Sequence, residues 1–114
     1  LVKDNHLRLC GSVTEAVRSA RAAQPELELV VEADTLEQAL EAVQAGADRV
    51  LLDNFPVEEA AAAAKALRPH GVAIELSGGL TPENVADYAP HGDCLSLGVL
   101  TLGASPVNFG LHVD

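Results

Sequence analysis

Residues 49–79 read RVLLDNFPVEEAAAAAKALRPHGVAIELSGG, two short apolar runs on either side of one alanine-rich segment. The runs Arg49 to Leu52 and Val72 to Leu76 have strand length and aliphatic content, without sustained polar alternation. Between them, Pro56 suits the first turn of a helix, where its missing N–H costs nothing, and Glu58 and Glu59 suit the positive end of the dipole. That helix extends to about Leu67 and stops before Pro69. Strand, helix and strand in this order make a parallel βαβ unit whose second strand ends at Ser77-Gly78-Gly79.

The same unit continues on both sides. Upstream, Ser12-Val13-Thr14-Glu15 has the form of a capping box and opens a helix from about Val13 to Ala23. Leu27 to Ala33 reads as a strand, and Thr35-Leu36-Glu37-Gln38 is a second capping box for a helix to about Ala45, stopped by Gly46. Downstream, Thr81-Pro82-Glu83 opens a helix ending near Pro90, and Cys94 to Leu97 is the last clear strand. Leu100 to Asp114 is expected to be a loop with a short helix and a terminal strand.

Strand ends fall at Glu32, Asp53, Ser77 and Gly98, in steps of 21, 24 and 21 residues. Each step is one strand, one helix and two short loops, so all four ends lie at the same edge of a parallel sheet, where ligands bind. Apolar strands separated by helices predict a sheet buried on both faces. A closed eight-unit barrel needs roughly 250 residues, and Leu1 to Lys3 reads as the tail of a strand begun earlier. The expected fold is therefore α/β, parallel β/α units over residues 1–114 that form a fragment of a larger barrel.

Composition narrows the function. An apolar content of 48% is enough to bury a core. The formal charge of −10, from 17 acids against 7 bases, disfavours nucleic acid, which needs clustered Lys and Arg. An acidic chain can still hold a phosphate where backbone N–H groups converge. Cys10 and Cys94 lack metal spacing and read as reduced thiols of a cytoplasmic protein. No signal peptide or membrane-spanning run is expected.

Ser77, Gly78 and Gly79 follow a strand and precede a capped helix, so their N–H groups suit an anion, and Gly98 contributes from the next loop. Glu32 and Asp53 end the two preceding strands; as hard oxygen ligands they suit Mg²⁺ held through water or the hydroxyls of a sugar. For Asp53, a helix cap is the competing reading. Lys3 suits a carboxylate or a diphosphate, and His6 suits either substrate positioning or a loop hydrogen bond. Glu75 is expected to face the barrel interior and pair with a base. Ser77 lacks a G-x-S-x-G elbow and neither cysteine has a histidine partner, so covalent catalysis is disfavoured.

Five segments together carry a resemblance: Lys3-Asp4-Asn5-His6, Val31-Glu32-Ala33-Asp34, Gly46-Ala47-Asp48 with Leu51-Leu52-Asp53-Asn54, Glu75-Leu76-Ser77-Gly78-Gly79, and Gly98-Val99-Leu100-Thr101. In order and spacing the chain resembles quinolinate phosphoribosyltransferase, which implies that residues 1–114 are a partial barrel domain, the phosphoribosyl diphosphate-binding C-terminal part of a TIM-like barrel, with the N-terminal domain absent. The resemblance implies phosphoribosyl transfer from phosphoribosyl diphosphate to quinolinate, with loss of carbon dioxide and diphosphate, giving nicotinate mononucleotide for NAD synthesis. It implies that Lys3 meets quinolinate or the diphosphate, that Glu32 and Asp53 serve the ribose hydroxyls and Mg²⁺, and that Ser77, Gly78, Gly79 and Gly98 hold the 5′-phosphate. It also implies a homodimer or larger assembly.

Two departures stand out. Leu102 and Gly103 occupy positions where the family carries His and Ser, which implies weaker phosphate binding or a different loop path. The Arg and His residues that bind the quinolinate carboxylates in the family belong to a portion this chain lacks. Two alternatives therefore stay open: a related phosphoribosyltransferase with another acceptor, and a catalytically silent phosphate-binding barrel fragment.

Overall fold

The computed structural model describes residues 1–101 and 103. Strands β1 (Val30–Ala33), β2 (Arg49–Asp53), β3 (Ala73–Ser77) and β4 (Cys94–Ser96) pair in that order, all parallel. Val2 extends the sheet by a parallel bridge to Val31. Consecutive order without reversal is the winding of a β/α barrel; a doubly wound sheet reverses direction at its switch point.

The helices are α1 (Asp4–Cys10), α2 (Val13–Ala23), α3 (Leu36–Ala45), α4 (Val57–Leu67) and α5 (Val85–Tyr88). Alternate strand residues Val31, Ala33, Val50, Leu52, Ile74 and Leu76 are buried in the core with Val17, Ala39, Ala42, Ala60, Ala63, Ala64 and Leu67 of the helices. Small alanines let the helices lie close to the sheet, and each fully buried Val, Leu or Ile contributes about 1.5–3 kcal/mol. No described helix is long and apolar enough to cross a membrane.

The sheet is not buried on both faces. Val30, Glu32, Arg49, Asp53, Ala73, Glu75 and Ser77 are only partly buried, whereas Leu51 between them is buried. Period-2 alternation was masked by apolar residues on this second face, which opposing strands would cover in a closed barrel. This partly open inner face carries the polar side chains.

Three other expectations change. Lys3 to His6 is not a loop: α1 starts behind Lys3 and stops at Gly11. β1 begins at Val30 instead of Leu27, because the Leu29 N–H is drawn to the Asp48 carboxylate, 2.7 Å away. The helix expected after Thr81 is a single turn, followed by a 3-10 turn at Ala89–His91 that contains Pro90. Ser12 and Thr35 do cap α2 and α3, accepting from Glu15 N and Gln38 N. Their boxes do not close as expected: Glu15 turns to Arg18, and Gln38 takes the Asp34 N–H. The expected terminal strand lies outside the described residues.

At the edge opposite the strand ends, two aspartates repeat one device. Asp48, just before β2, accepts from Leu29 N, and Asp93, just before β4, accepts from Ile74 N at 2.9 Å. Arg21 reinforces the first, donating to Asp48 and to the carbonyls of Leu27 and Gly46 at 2.9 and 3.1 Å. The Arg21 guanidinium, and after it the Leu29 N–H, hold the Asp48 carboxyl below its ordinary value of 3.8. A carboxyl depressed in the fold stabilises above its unfolded value, and that stability is lost as pH falls through the lower folded value. Asp48→Asn should lower the melting temperature at pH 7 by about 5 °C. In calorimetry across pH, the gap to wild type should close below 3.8; a gap that stays constant down to strong acid contradicts the assignment.

Candidate active site

Parallel register sets the site in rows across the inner face. Asp53, Ser77 and Ser96 pair laterally across β2, β3 and β4, and Glu32, Leu51, Glu75 and Cys94 form the adjacent row. Directly paired residues of a parallel sheet point to the same side. The predicted strand-end residues Glu32, Asp53 and Ser77 therefore share one face near one edge.

Lys3 joins them through the Val2 bridge. Val2 N donates to Val30 O at 2.8 Å and Glu32 N donates to Val2 O at 2.9 Å. One residue on, Lys3 Nζ lies 3.0 Å from Glu32 Oε2, with the lysine side chain 51% exposed and the glutamate 16%. The pair places the lysine and the glutamate together at the mouth. His6 Nδ1 accepts from Lys3 N at 3.1 Å and so closes the first turn of α1, which favours its local structural reading.

Asp53 does not cap α4, whose N-terminus lies at Pro56 without a side-chain cap. Its Oδ2 accepts from Asn54 Nδ2 at 2.7 Å. Asn54 is left-handed at φ 57° and donates its N–H to Ser77 O at 2.9 Å, locking the β2 loop onto the β3 loop. Gly78, at φ 79°, sits against that turn: a β-carbon there would come within 2.7 Å of Asn54 N. Gly79, at φ 64°, faces open space.

The turn Ser77-Gly78-Gly79 does not run into a long helix, since α5 is only 4 residues and starts at Val85. Thr81 and Asn84 instead hold each other, Thr81 N donating to Asn84 Oδ1 at 2.8 Å, and Asn84 Nδ2 reaches back to Gly79 O at 3.0 Å. Among the described residues no long helix points its N-terminus at this turn. Gly98 starts a 3-10 turn, Gly98–Leu100, and lines an open depression of about 480 Å³ together with Ser77, Ser96 and Thr101. The end of β3 and the loop after β4 thus border one concavity, whose other lining residues are Leu95, Leu97 and Leu100.

Glu75 finds the base expected for it. Arg49 Nη1 lies 3.3 Å from Glu75 Oε2 and Arg49 Nη2 lies 2.8 Å from Glu28 Oε1. These two acids, Glu28 first, raise the Arg49 pKa. On its other side Glu75 Oε1 accepts from Ser96 Oγ at 2.6 Å. Among the described residues no group of three His, Cys, Asp or Glu is arranged to hold a metal ion. Cys10 and Cys94 are both free and exposed.

Sequence reasoning did not select Asn54, Arg49 or Ser96. Asn tolerates the left-handed region, so Asp53-Asn54 at a strand end was a turn signal. Ser96 is the one hydroxyl in an apolar strand, two residues before Gly98. Leu102 lies outside the described residues. Gly103 packs against Val99, where a β-carbon would lie 2.6 Å from Val99 Cα; the missing side chain fits a tighter loop path.

A family model described as "Quinolinate phosphoribosyl transferase, C-terminal domain" matches residues 1–112. The chain is 45% identical over 117 residues to the nicotinate-nucleotide pyrophosphorylase (carboxylating) of Homo sapiens, covering 99% of this chain and 39% of that protein. It is 44% identical over 116 residues to the protein of the same name from Mycobacterium leprae, covering 99% and 41%. The solved nicotinate-nucleotide pyrophosphorylase of Francisella tularensis superposes with a TM-score of 0.82 at 34% identity, over 88% of this chain and 36% of that one. The chain therefore spans well under half the length of these relatives.

Gly78→Ala should destabilise by about 1–3 kcal/mol in urea denaturation, from a strained backbone and the contact with Asn54. Gly79→Ala carries backbone strain alone and should cost less. Equal losses contradict the interlocking of the two loops.

Proposed function

The chain belongs to the family of quinolinate phosphoribosyl transferase C-terminal domains, and from that membership we propose that it is the phosphoribosyl diphosphate-binding half of a carboxylating nicotinate-nucleotide pyrophosphorylase. The reaction is phosphoribosyl transfer from phosphoribosyl diphosphate to quinolinate, releasing diphosphate and carbon dioxide and forming nicotinate mononucleotide for NAD synthesis. The observation that carries this reading is the gathering of Lys3, Glu32, Asp53 and Ser77 on one face of the sheet at its carboxyl edge.

In this reading the turn Ser77-Gly78-Gly79 and the neighbouring Gly98 receive the 5′-phosphate through backbone N–H groups. Glu32 and Asp53 accept hydrogen bonds from the ribose hydroxyls. As the anomeric bond breaks, positive charge develops on the ribose, and carboxylates already fixed on that side stabilise it without reorganising. Lys3, paired with Glu32 at the mouth, meets an anion of the acceptor or of the leaving diphosphate.

The donor set suits Mg²⁺, which binds through one or two carboxylates together with substrate phosphates and does not require a dedicated cage. Glu32 and Asp53 would hold it, directly or through water, and when bound it neutralises the leaving diphosphate. The resemblance puts the residues that bind the acceptor's carboxylates outside this chain, one of them in a partner subunit, and from it we infer a homodimer or larger assembly of the whole protein. We place the protein in the cytoplasm, on the reading of Cys10 and Cys94 as reduced thiols.

Calorimetric titration with phosphoribosyl diphosphate tests the reading. Binding should require Mg²⁺, and Asp53→Asn should weaken it about tenfold or more while leaving the unfolding free energy within about 0.5 kcal/mol. Metal-independent binding, or a loss of stability without a loss of affinity, contradicts these roles.

A further inference from the structure

Glu32, Asp53 and Glu75 share the inner face, and each is held differently. Glu32 is paired with Lys3, and Glu75 with Arg49 and Ser96. Among the described residues the Asp53 side chain has one hydrogen-bond partner, its neighbour Asn54, whose Nδ2 donates to Oδ2 at 2.7 Å. Successive residues of a strand point to opposite faces, so Asn54 would ordinarily turn away from Asp53. Its left-handed backbone, at φ 57°, breaks that alternation and brings the amide back to the carboxylate. A carboxylate only accepts, so the amide nitrogen must be the atom that faces it, and Oδ1 of Asp53 is the oxygen left for a ligand.

The same turn of the backbone aims the Asn54 N–H at Ser77 O, 2.9 Å away, and sets the residue against Gly78, which has no β-carbon to collide with it. One residue thus holds the strand-end acid with its side chain and the glycine turn with its main chain.

We propose that Asn54 is a positioning residue that fixes the spacing between the Asp53 carboxylate and the turn Ser77-Gly78-Gly79, and so sets the preference of the site for a phosphate joined to a ribose over a phosphate alone. This deepens the functional reading above and rests on it, because that reading puts ribose hydroxyls on Glu32 and Asp53 and the 5′-phosphate on the glycine turn. A carboxylate with no base beside it rotates, and ordering it on binding costs affinity. Asn54 orders Asp53 before the ligand arrives. Its two contacts are separable: glycine adopts the left-handed region freely, so Asn54→Gly keeps the N–H bond to Ser77 O and removes only the amide that holds Asp53.

Calorimetric titration of wild type, Asn54→Gly, Asp53→Ala and the double variant, with ribose 5-phosphate and with inorganic phosphate at one Mg²⁺ concentration, tests this. The quantity read is the ratio of the two affinities, which a general loosening of the glycine turn leaves unchanged because both ligands use that turn. Asn54→Gly should lower the preference for ribose 5-phosphate about three- to tenfold. In the Asp53→Ala background, with no carboxylate to hold, the same substitution should change the ratio by less than about twofold. A ratio that holds in Asn54→Gly overturns the proposal. An equal fall in the Asp53→Ala background also overturns it, since the amide would then act on the ligand itself. If Asn54→Gly does not fold, Asn54→Asp decides: it tolerates the left-handed turn, keeps the shape of the side chain and has no proton to donate, so it should lower the ratio at least as far, and an unchanged ratio again overturns the proposal. Wild type that prefers ribose 5-phosphate while the variants stay flat sinks this inference alone; wild type without that preference sinks the functional reading as well.

Discussion

Parallel pairing in consecutive order constrains every side chain of the candidate site. Once Val2 bridges Val31, and Asp53, Ser77 and Ser96 fall into lateral register, the two-residue period of a strand leaves no freedom. Leu52 and Leu76 must face the helices, and their neighbours Asp53 and Ser77 must face away. A slip of one residue in any strand would bury a carboxylate beneath the helices and expose a leucine. The large penalty for an unpaired buried charge thus enforces the register that assembles the site.

The inner face is polar, and its best-buried acids are matched by bases. Glu32 is met by Lys3 and Glu75 by Arg49, and no described buried side-chain polar atom lacks a hydrogen-bond partner. The two pairs differ in consequence. Lys3 is half exposed, so its attraction to Glu32 is screened by solvent. Arg49 is held by two acids, Glu28 and Glu75, and Glu75 also accepts from Ser96 Oγ. Structural support and ligand-facing chemistry therefore sit on one sheet face, one strand position apart.

Much of this was legible before any coordinates. Pro56, Ser12, Thr35 and Gly46 marked helix ends through local backbone chemistry, and local chemistry survives folding nearly unchanged. The spacing of Glu32, Asp53 and Ser77 encoded a shared edge because each βα unit has nearly constant length. The failures have a different origin. α1 has Lys3 at its N-cap instead of the Ser, Thr, Asp or Asn that announces a helix start, and the expected helix after Thr81 shrank to one turn beside Pro90, where Asn84 ties back to Gly79. The inner face was misjudged because Leu51 and Val30 make it look apolar in a linear reading. Arg49, Asn54 and Ser96 were missed because their partners lie about one βα unit away, a distance that no local pattern reports.

The central claim is geometric: Lys3, the strand-end acids and the two glycine loops form one mouth that grips a sugar phosphate. Amide chemical-shift mapping during titration with ribose 5-phosphate and Mg²⁺ tests it most directly. The largest shifts should fall on Glu32, Asp53, Asn54, Ser77, Gly78, Gly79 and Gly98, with Asp48, Gly71 and Asp93 at the opposite edge unmoved. Shifts concentrated at that opposite edge, or scattered over the helices, would contradict the account.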